Sequence, residues 1–165
     1  MNKQLYILLG GVLGVLIVLA LFLTFGLQEE DKQAALYYVK KDSFFLASVQ
    51  VSLKKEEGLA ELMNRYLTEP APPEMESLVA PGGAFLGSSY DEEGVFQIDV
   101  NGAYFSIDYG IEGNRLNLQA LVHTVLSFTG EEEVRILRDG VPGGFLHNGI
   151  FMGNPFTADP NVIEY

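Results

Sequence analysis

Cysteine and tryptophan are absent from the 165 residues. Without cysteine there is no disulfide, no thiolate metal site, no thiol nucleophile and no lipobox residue to carry a lipid. Basic residues are scarce: 10 Lys and Arg stand against 22 Asp and Glu, a formal charge of −12. A surface of that sign repels phosphate backbones and anionic lipid, which argues against nucleic-acid binding and assigns the acid to solubility. Histidines number two, His123 and His147, so little is available for acid–base chemistry or metal ligation.

Charge is also missing from one long stretch. Leu5 to Leu27 reads LYILLGGVLGVLIVLALFLTFGL, long enough to cross a hydrocarbon core of about 30 Å as a helix that satisfies its own backbone. Lys3 precedes the run and Glu29, Glu30 and Asp31 follow it, so the positive-inside rule places residues 1–4 in the cytoplasm and the remainder outside. The competing reading is a cleaved secretory signal, whose apolar region is usually about 7 to 15 residues and ends in a small-x-small site. The run is longer than that, and Thr24-Phe25-Gly26 only faintly resembles such a site. An uncleaved anchor over 5–27 is expected, followed by a juxtamembrane linker over 28–34. Gly10 and Gly14 have the small-xxx-small spacing of packed membrane helices, although lipid-facing glycines explain them as well.

From Gln28 onward 138 residues remain, with nine basic residues against 22 acidic ones, a formal −13. That length suits one domain with one core. Ala35–Val39 reads as a strand, and Phe44–Leu53 as a second in which Ala47, Val49, Val51 and Leu53 alternate with polar residues. Leu59, Leu62, Met63, Tyr66 and Leu67 form one helical stripe that ends at Pro70. The proline- and glycine-rich stretch 70–83 is expected to be irregular. Ala84–Tyr90 and Val95–Val100 flank the turn Asp91–Gly94, a second hairpin. Residues 101–114 read as loop. A second helix is expected over Arg115–Phe128, then a strand over Val134–Arg138, the Asp139-Gly140 turn and an apolar segment Gly144–Met152 that could return as a sixth strand. These elements predict an α+β domain over residues 35–153, a two-layer sandwich of one mainly antiparallel sheet with both helices on one face, and a C-terminal tail over 154–165.

Several segments, in this order, resemble the GerMN domain of sporulation and spore-germination proteins and of other bacterial envelope proteins. They are the opening strand Leu36-Tyr37-Tyr38-Val39, the Leu59 helix ending in Glu69-Pro70, Pro81-Gly82-Gly83 before a strand, and Val95-Phe-Gln-Ile-Asp-Val100 with Phe105 after it. Leu118–Phe128, Val134-Arg-Ile-Leu137 and Asp139-Gly140-x-Pro142 complete the set. The resemblance implies an α/β domain akin to the ring-building motifs of envelope complexes, a noncatalytic role in assembly or protein contact, and no active site. A familiar member is a lipoprotein with two such domains, whereas this chain shows one domain and an apolar N-terminal run, which puts a spore-specific role in doubt.

Candidate chemistry is sparse. His123 lies about 100° from the edge of the apolar stripe at 3.6 residues per turn, a solvent-facing or rim position. His147 lies in a glycine-rich loop. Neither has a serine or carboxylate in a triad-like local motif. Asp91-Glu92-Glu93 and Glu131-Glu132-Glu133 lack the ligand spacing of a calcium loop and read as solvated turns. Gly82-Gly83 and Gly143-Gly144 lack the lysine and setting of a phosphate loop and read as turns. No catalytic residue, metal ligand, cofactor or small-molecule ligand is expected. Among the aromatics, Tyr37 and Tyr90 on outer strand faces are candidates to anchor a partner. The expected function is a single-pass, membrane-anchored, extracytoplasmic domain that contacts other envelope proteins or itself. The alternatives are a cell-wall hydrolase or modifier, and a small-ligand sensor.

Overall fold

Alternation decides the first hairpin. The computed structural model describes residues 31–164, so the expected anchor at 5–27 and the stub before it lie outside the described residues. Strand β1 (Lys32–Lys40) pairs antiparallel with β2 (Leu46–Leu53), from Lys32 opposite Leu53 to Val39 opposite Leu46. β1 begins three residues earlier than expected, because Ala34 is buried in the core; Lys32–Ala34 thus belong to the sheet and not to a linker. Phe44 and Phe45, expected in the second strand, sit exposed at the hairpin tip.

Helix α1 (Leu59–Thr68) buries Leu59, Leu62, Met63 and Tyr66 of the stripe that the spacing predicts, half-buries its fifth member Leu67, and ends before Pro70. The following stretch is not wholly irregular: β3 (Met75–Glu76) adds two residues to the edge of β1. β4 (Phe85–Tyr90) and β5 (Phe96–Val100) form the second hairpin.

Helix α2 runs from Gly110 to Thr129, more than a turn longer at its start than the expected Arg115–Phe128. Asp108 Oδ1 accepts from Gly110 N–H at 2.9 Å and from Asn114 Nδ2 at 2.8 Å, while Asn114 Oδ1 accepts from Tyr109 N–H at 3.0 Å. Those bonds occupy the N–H groups of Tyr109 and Gly110 at the start of the helix. Gly130, at φ 74°, closes the helix in the left-handed conformation that glycine adopts at no steric cost.

After α2 comes β6 (Glu133–Arg138), parallel to β5, then the Asp139-Gly140 turn and β7 (Val141–Pro142). Asp139 and Gly140 have φ 53° and 76°, the paired left-handed residues of a tight hairpin turn. The segment 144–152 is not a strand. It folds on itself through the single bridge Phe145–Phe151, around a short 3₁₀ turn at His147–Gly149. Residues 154–164 are no tail: β8 (Phe156–Thr157) pairs with the start of β6, and the 3₁₀ turn Pro160–Val162 buries Val162 completely.

The class is α+β and mainly antiparallel, but the strands make two sheets, β2-β1-β3 and β4-β5-β6-β7 with β8 beside β6. The two helices are not laid on one face of a single sheet. α2 stands against the edge of β1, where Thr124 Oγ1 accepts from Tyr37 N–H at 3.0 Å and Ser127 Oγ donates to Ala35 O at 3.1 Å. Every residue from Leu116 to Leu126 is buried, so the helix has no free face along that length. The main core joins Leu36 and Tyr38 of β1, Leu62 and Met63 of α1, Ile98 of β5, and Leu121 and Val125 of α2.

Val162 separates a structural strap from a loose tail. Val162→Ala removes two buried methyl groups and is expected to cost about 2 kcal/mol, measured as a lower urea midpoint at unchanged slope. An unchanged midpoint would mean that residues 156–164 add nothing to the fold.

Candidate functional site

His123 is buried, at 9% exposure, and not on a rim. A single stripe presupposes one apolar face, whereas α2 is enclosed on all sides from Leu116 to Leu126. The ring lies 5.0 Å from the ring of Tyr37, and Nε2 is 3.1 Å from the carbonyl oxygen of Asp159, so it carries the donated proton. Burial holds the imidazole below its ordinary pKa of 6.5, against the bond to the Asp159 carbonyl, which favours the charged form. Its partner is therefore a backbone carbonyl, and among the described residues neither a serine nor a carboxylate is bonded to it.

Arg115, Gln119 and His123 follow at i, i+4 and i+8 on α2, and all three hold the strap. Gln119 donates to Thr157 O at 3.3 Å and accepts from Asp159 N–H at 2.9 Å, and Arg115 pairs with the Asp159 carboxylate at 3.3 Å. Two bonds from Asn161 hold that carboxylate below its ordinary range, with Arg115 and His123 adding to them. The sequence hint was the run of polar residues through an otherwise apolar helix, since buried polar groups require partners.

Tyr37, a candidate partner anchor, is half-buried against His123 and is occupied by the fold. Tyr90 is 58% exposed, and its hydroxyl donates to Glu131 at 2.6 Å. His147 is exposed on its 3₁₀ turn. Gly82 and Gly83, and Gly143 and Gly144, lie outside helices and strands.

The acidic triplets are not simply solvated. Asp91 accepts from Glu93 and Val95 N–H, both at 2.9 Å, and forms an ion pair with Arg135 of β6, which also reaches Glu93 at 3.2 Å. Desolvation works against the Asp91 carboxylate, but those two backbone bonds and Arg135 outweigh it and lower its pKa. Glu93 and Glu131–Glu133 line one open cleft of about 550 Å³ floored by Phe96. Among the described residues no group of three or more His, Asp or Glu is placed to hold a metal.

Tyr38 of β1, Tyr66 of α1 and Tyr104 are buried together, the first two with ring centroids 5.3 Å apart. Burial raises all three phenols; Tyr38 is pushed up to about 12, with Glu69 adding to the effect. The Tyr104 hydroxyl faces Tyr66 but has no partner at hydrogen-bonding geometry. These hydroxyls belong to the core.

With this geometry the chain can be placed. It belongs to the family described as sporulation and spore germination (Germane), whose model matches residues 35–144. The fold is that of solved GerMN domains. It superposes on the tandem GerMN domains of the sporulation protein GerM from Bacillus subtilis with a TM-score of 0.62 at 14% identity, covering 83% of this chain and 49% of that one. The first GerMN domain of the same protein gives 0.53 at 16% identity, covering 78% and 96%. A crystallised Clostridium perfringens protein gives 0.53 at 14%, covering 82% and 94%. The chain thus spans about half the length of the tandem structure. No curated protein matches it.

Two pH effects of opposite sign follow. For His123 the folded pKa lies below the unfolded one, so stability is full above about pH 6.5 and falls as the solution is acidified. His123→Gln is expected to shrink the loss of urea stability between about pH 7 and about pH 5; an equal loss in both proteins would contradict it. For Tyr38 the folded pKa lies above the unfolded 10.0, so stability is full below pH 10 and falls toward pH 12. Near-ultraviolet phenolate absorbance should show its ionisation only with unfolding, and Tyr38→Phe should shift the alkaline transition upward. Ionisation of Tyr38 in the folded protein near its ordinary pKa would count against this.

Proposed function

We propose that this chain is a noncatalytic, single-pass membrane protein of the bacterial cell envelope, its N-terminus cytoplasmic and its domain outside, working by contact with other proteins in sporulation or germination. The observation that carries this reading is the deployment of the polar side chains. His123, Gln119 and Arg115 are bonded to the strap, Asp91 to Arg135 and its own turn, and Thr124 and Ser127 to the edge of β1. Groups committed in this way are not free to transfer protons or attack a substrate. What is left exposed includes Leu86, Tyr90, Phe44 and Phe145, side chains suited to contact. The uncharged run Leu5–Leu27, flanked by Lys3 and by Glu29 to Asp31, supports the anchor and its direction. Family membership supports the cellular setting.

Fractionation tests the anchor. The full chain should sediment with membranes and be released by detergent but not by high salt or alkaline carbonate. In protoplasts, external protease should remove a C-terminal tag and spare an N-terminal one. Recovery from the cytosol, or protection of both tags, would defeat the reading.

A further inference from the structure

β4 is the last strand of its sheet: it pairs with β5, and among the described residues no strand lies on its other side. The backbone groups on that side can be assigned. Asp91 N–H donates to Val95 O at 3.0 Å, which makes Asp91 and Val95 a bonded pair. Alternation along the antiparallel ladder then turns Ser89 and Gly87 toward Gln97 and Asp99, and points the N–H and C=O groups of Ser88 and Tyr90 away from the sheet. Leu86, Ser88, Ser89 and Tyr90 are exposed, so no loop of the described residues covers this edge. Edge strands are commonly guarded by lysine, proline or an inward charge. Phe85-Leu-Gly-Ser-Ser-Tyr90 has none of these, and its one irregularity lies before Gly87.

The surroundings of the edge select among strands that could add to it. Beside its start lies a groove of about 270 Å³ between α1 and β4, lined by Ala60, Asn64, Leu67, Ala84 and Phe85, with room for an aliphatic side chain. At its other end stand the turn Asp91–Glu93 and, joined through the Tyr90–Glu131 bond, the cleft of Glu131–Glu133. Arg135 is already shared between Asp91 and Glu93. The C-terminus of α2 at Gly130 adds the negative end of its dipole, with no basic residue in the last turn. A second copy, itself carrying −12, is the wrong occupant for such a field.

We propose that the free edge of β4 receives an extended, positively charged segment of a partner protein, which adds as a strand with its basic residues at the Asp91–Glu93 end and an aliphatic residue in the groove at the Phe85 end. Backbone bonds to Ser88 and Tyr90 supply affinity, and the two flanking sites fix direction and choice of partner. The inference rests on the protein-contact reading above and deepens it.

The test uses the full chain in detergent micelles and two synthetic peptides of about nine residues. Each alternates Val and Thr with Leu near one end; one carries two Lys near the other end and the second has Glu in their place. By fluorescence anisotropy at low salt, the Lys peptide should bind at least about tenfold tighter than the Glu peptide, and added salt should narrow the gap. Hydrogen exchange at Ser88 and Tyr90 should slow on binding. Ser88→Pro, which removes an outward N–H and is tolerated at a sheet edge, should weaken binding about tenfold or more with an unchanged melting curve. Glu92→Lys with Glu93→Lys should weaken the Lys peptide alone and serves if the proline variant fails to fold. Equal binding of both peptides, unchanged exchange at Ser88 and Tyr90, or a self-associated state in sedimentation that protects those amides without peptide would overturn the proposal. None of these results bears on membrane insertion, so failure here leaves the anchor standing, and failure of the anchor leaves this edge measurable.

Discussion

The open edge of β1 is the constraint around which the domain is arranged. β2 takes one side of that strand, β3 takes only Val39 and Lys40 on the other, and on that other side the backbone of Ala35 and Tyr37 meets no strand among the described residues. Buried peptide groups must be paired. Thr124 and Ser127 of α2 supply the pairing through side-chain hydroxyls, which obliges the helix to lie along the strand edge. From there α2 reaches the main core through Leu121 and Val125 and a smaller one through Leu116 and Ala120, and a helix so placed is buried all round.

Burial on every side creates a second requirement. Gln119 and His123 cannot face water, and they are satisfied by the strap of residues 156–159. The strap begins at β6 and ends where Ile163 bridges Leu46 and Glu164 N–H bonds the Leu46 carbonyl at 3.1 Å. One segment therefore links the two sheets across α2. The family match ends at residue 144, so this closure lies outside the matched region, although Gln119 and His123 within that region depend on it.

Local periodicity made the two hairpins and α1 legible, because each has one buried face and one wet face. It failed where that assumption failed. Residues 110–114 read as loop, since the Asp108–Asn114 bonds that start α2 leave no apolar pattern. Its angle from a single stripe puts His123 on a rim, and such a stripe has no meaning on an enclosed helix. The strap has no periodicity of its own and is fixed by partners about 40 residues away, Gln119 among them. Tyr90 and both acidic triplets were visible singly. Their convergence was not, because it depends on β6 lying parallel to β5, a pairing made through α2 and absent from adjacent sequence.

The distance in sequence between partners has a consequence for how the chain is made. Tyr37 must wait for Thr124, 87 residues later, and Leu46 for Ile163 and Glu164. Contacts of such long separation form slowly and hold the first strand in an unfinished state while the rest is synthesised. A nascent chain paused anywhere before the strap has emerged carries β1 and β2 without their closing partners.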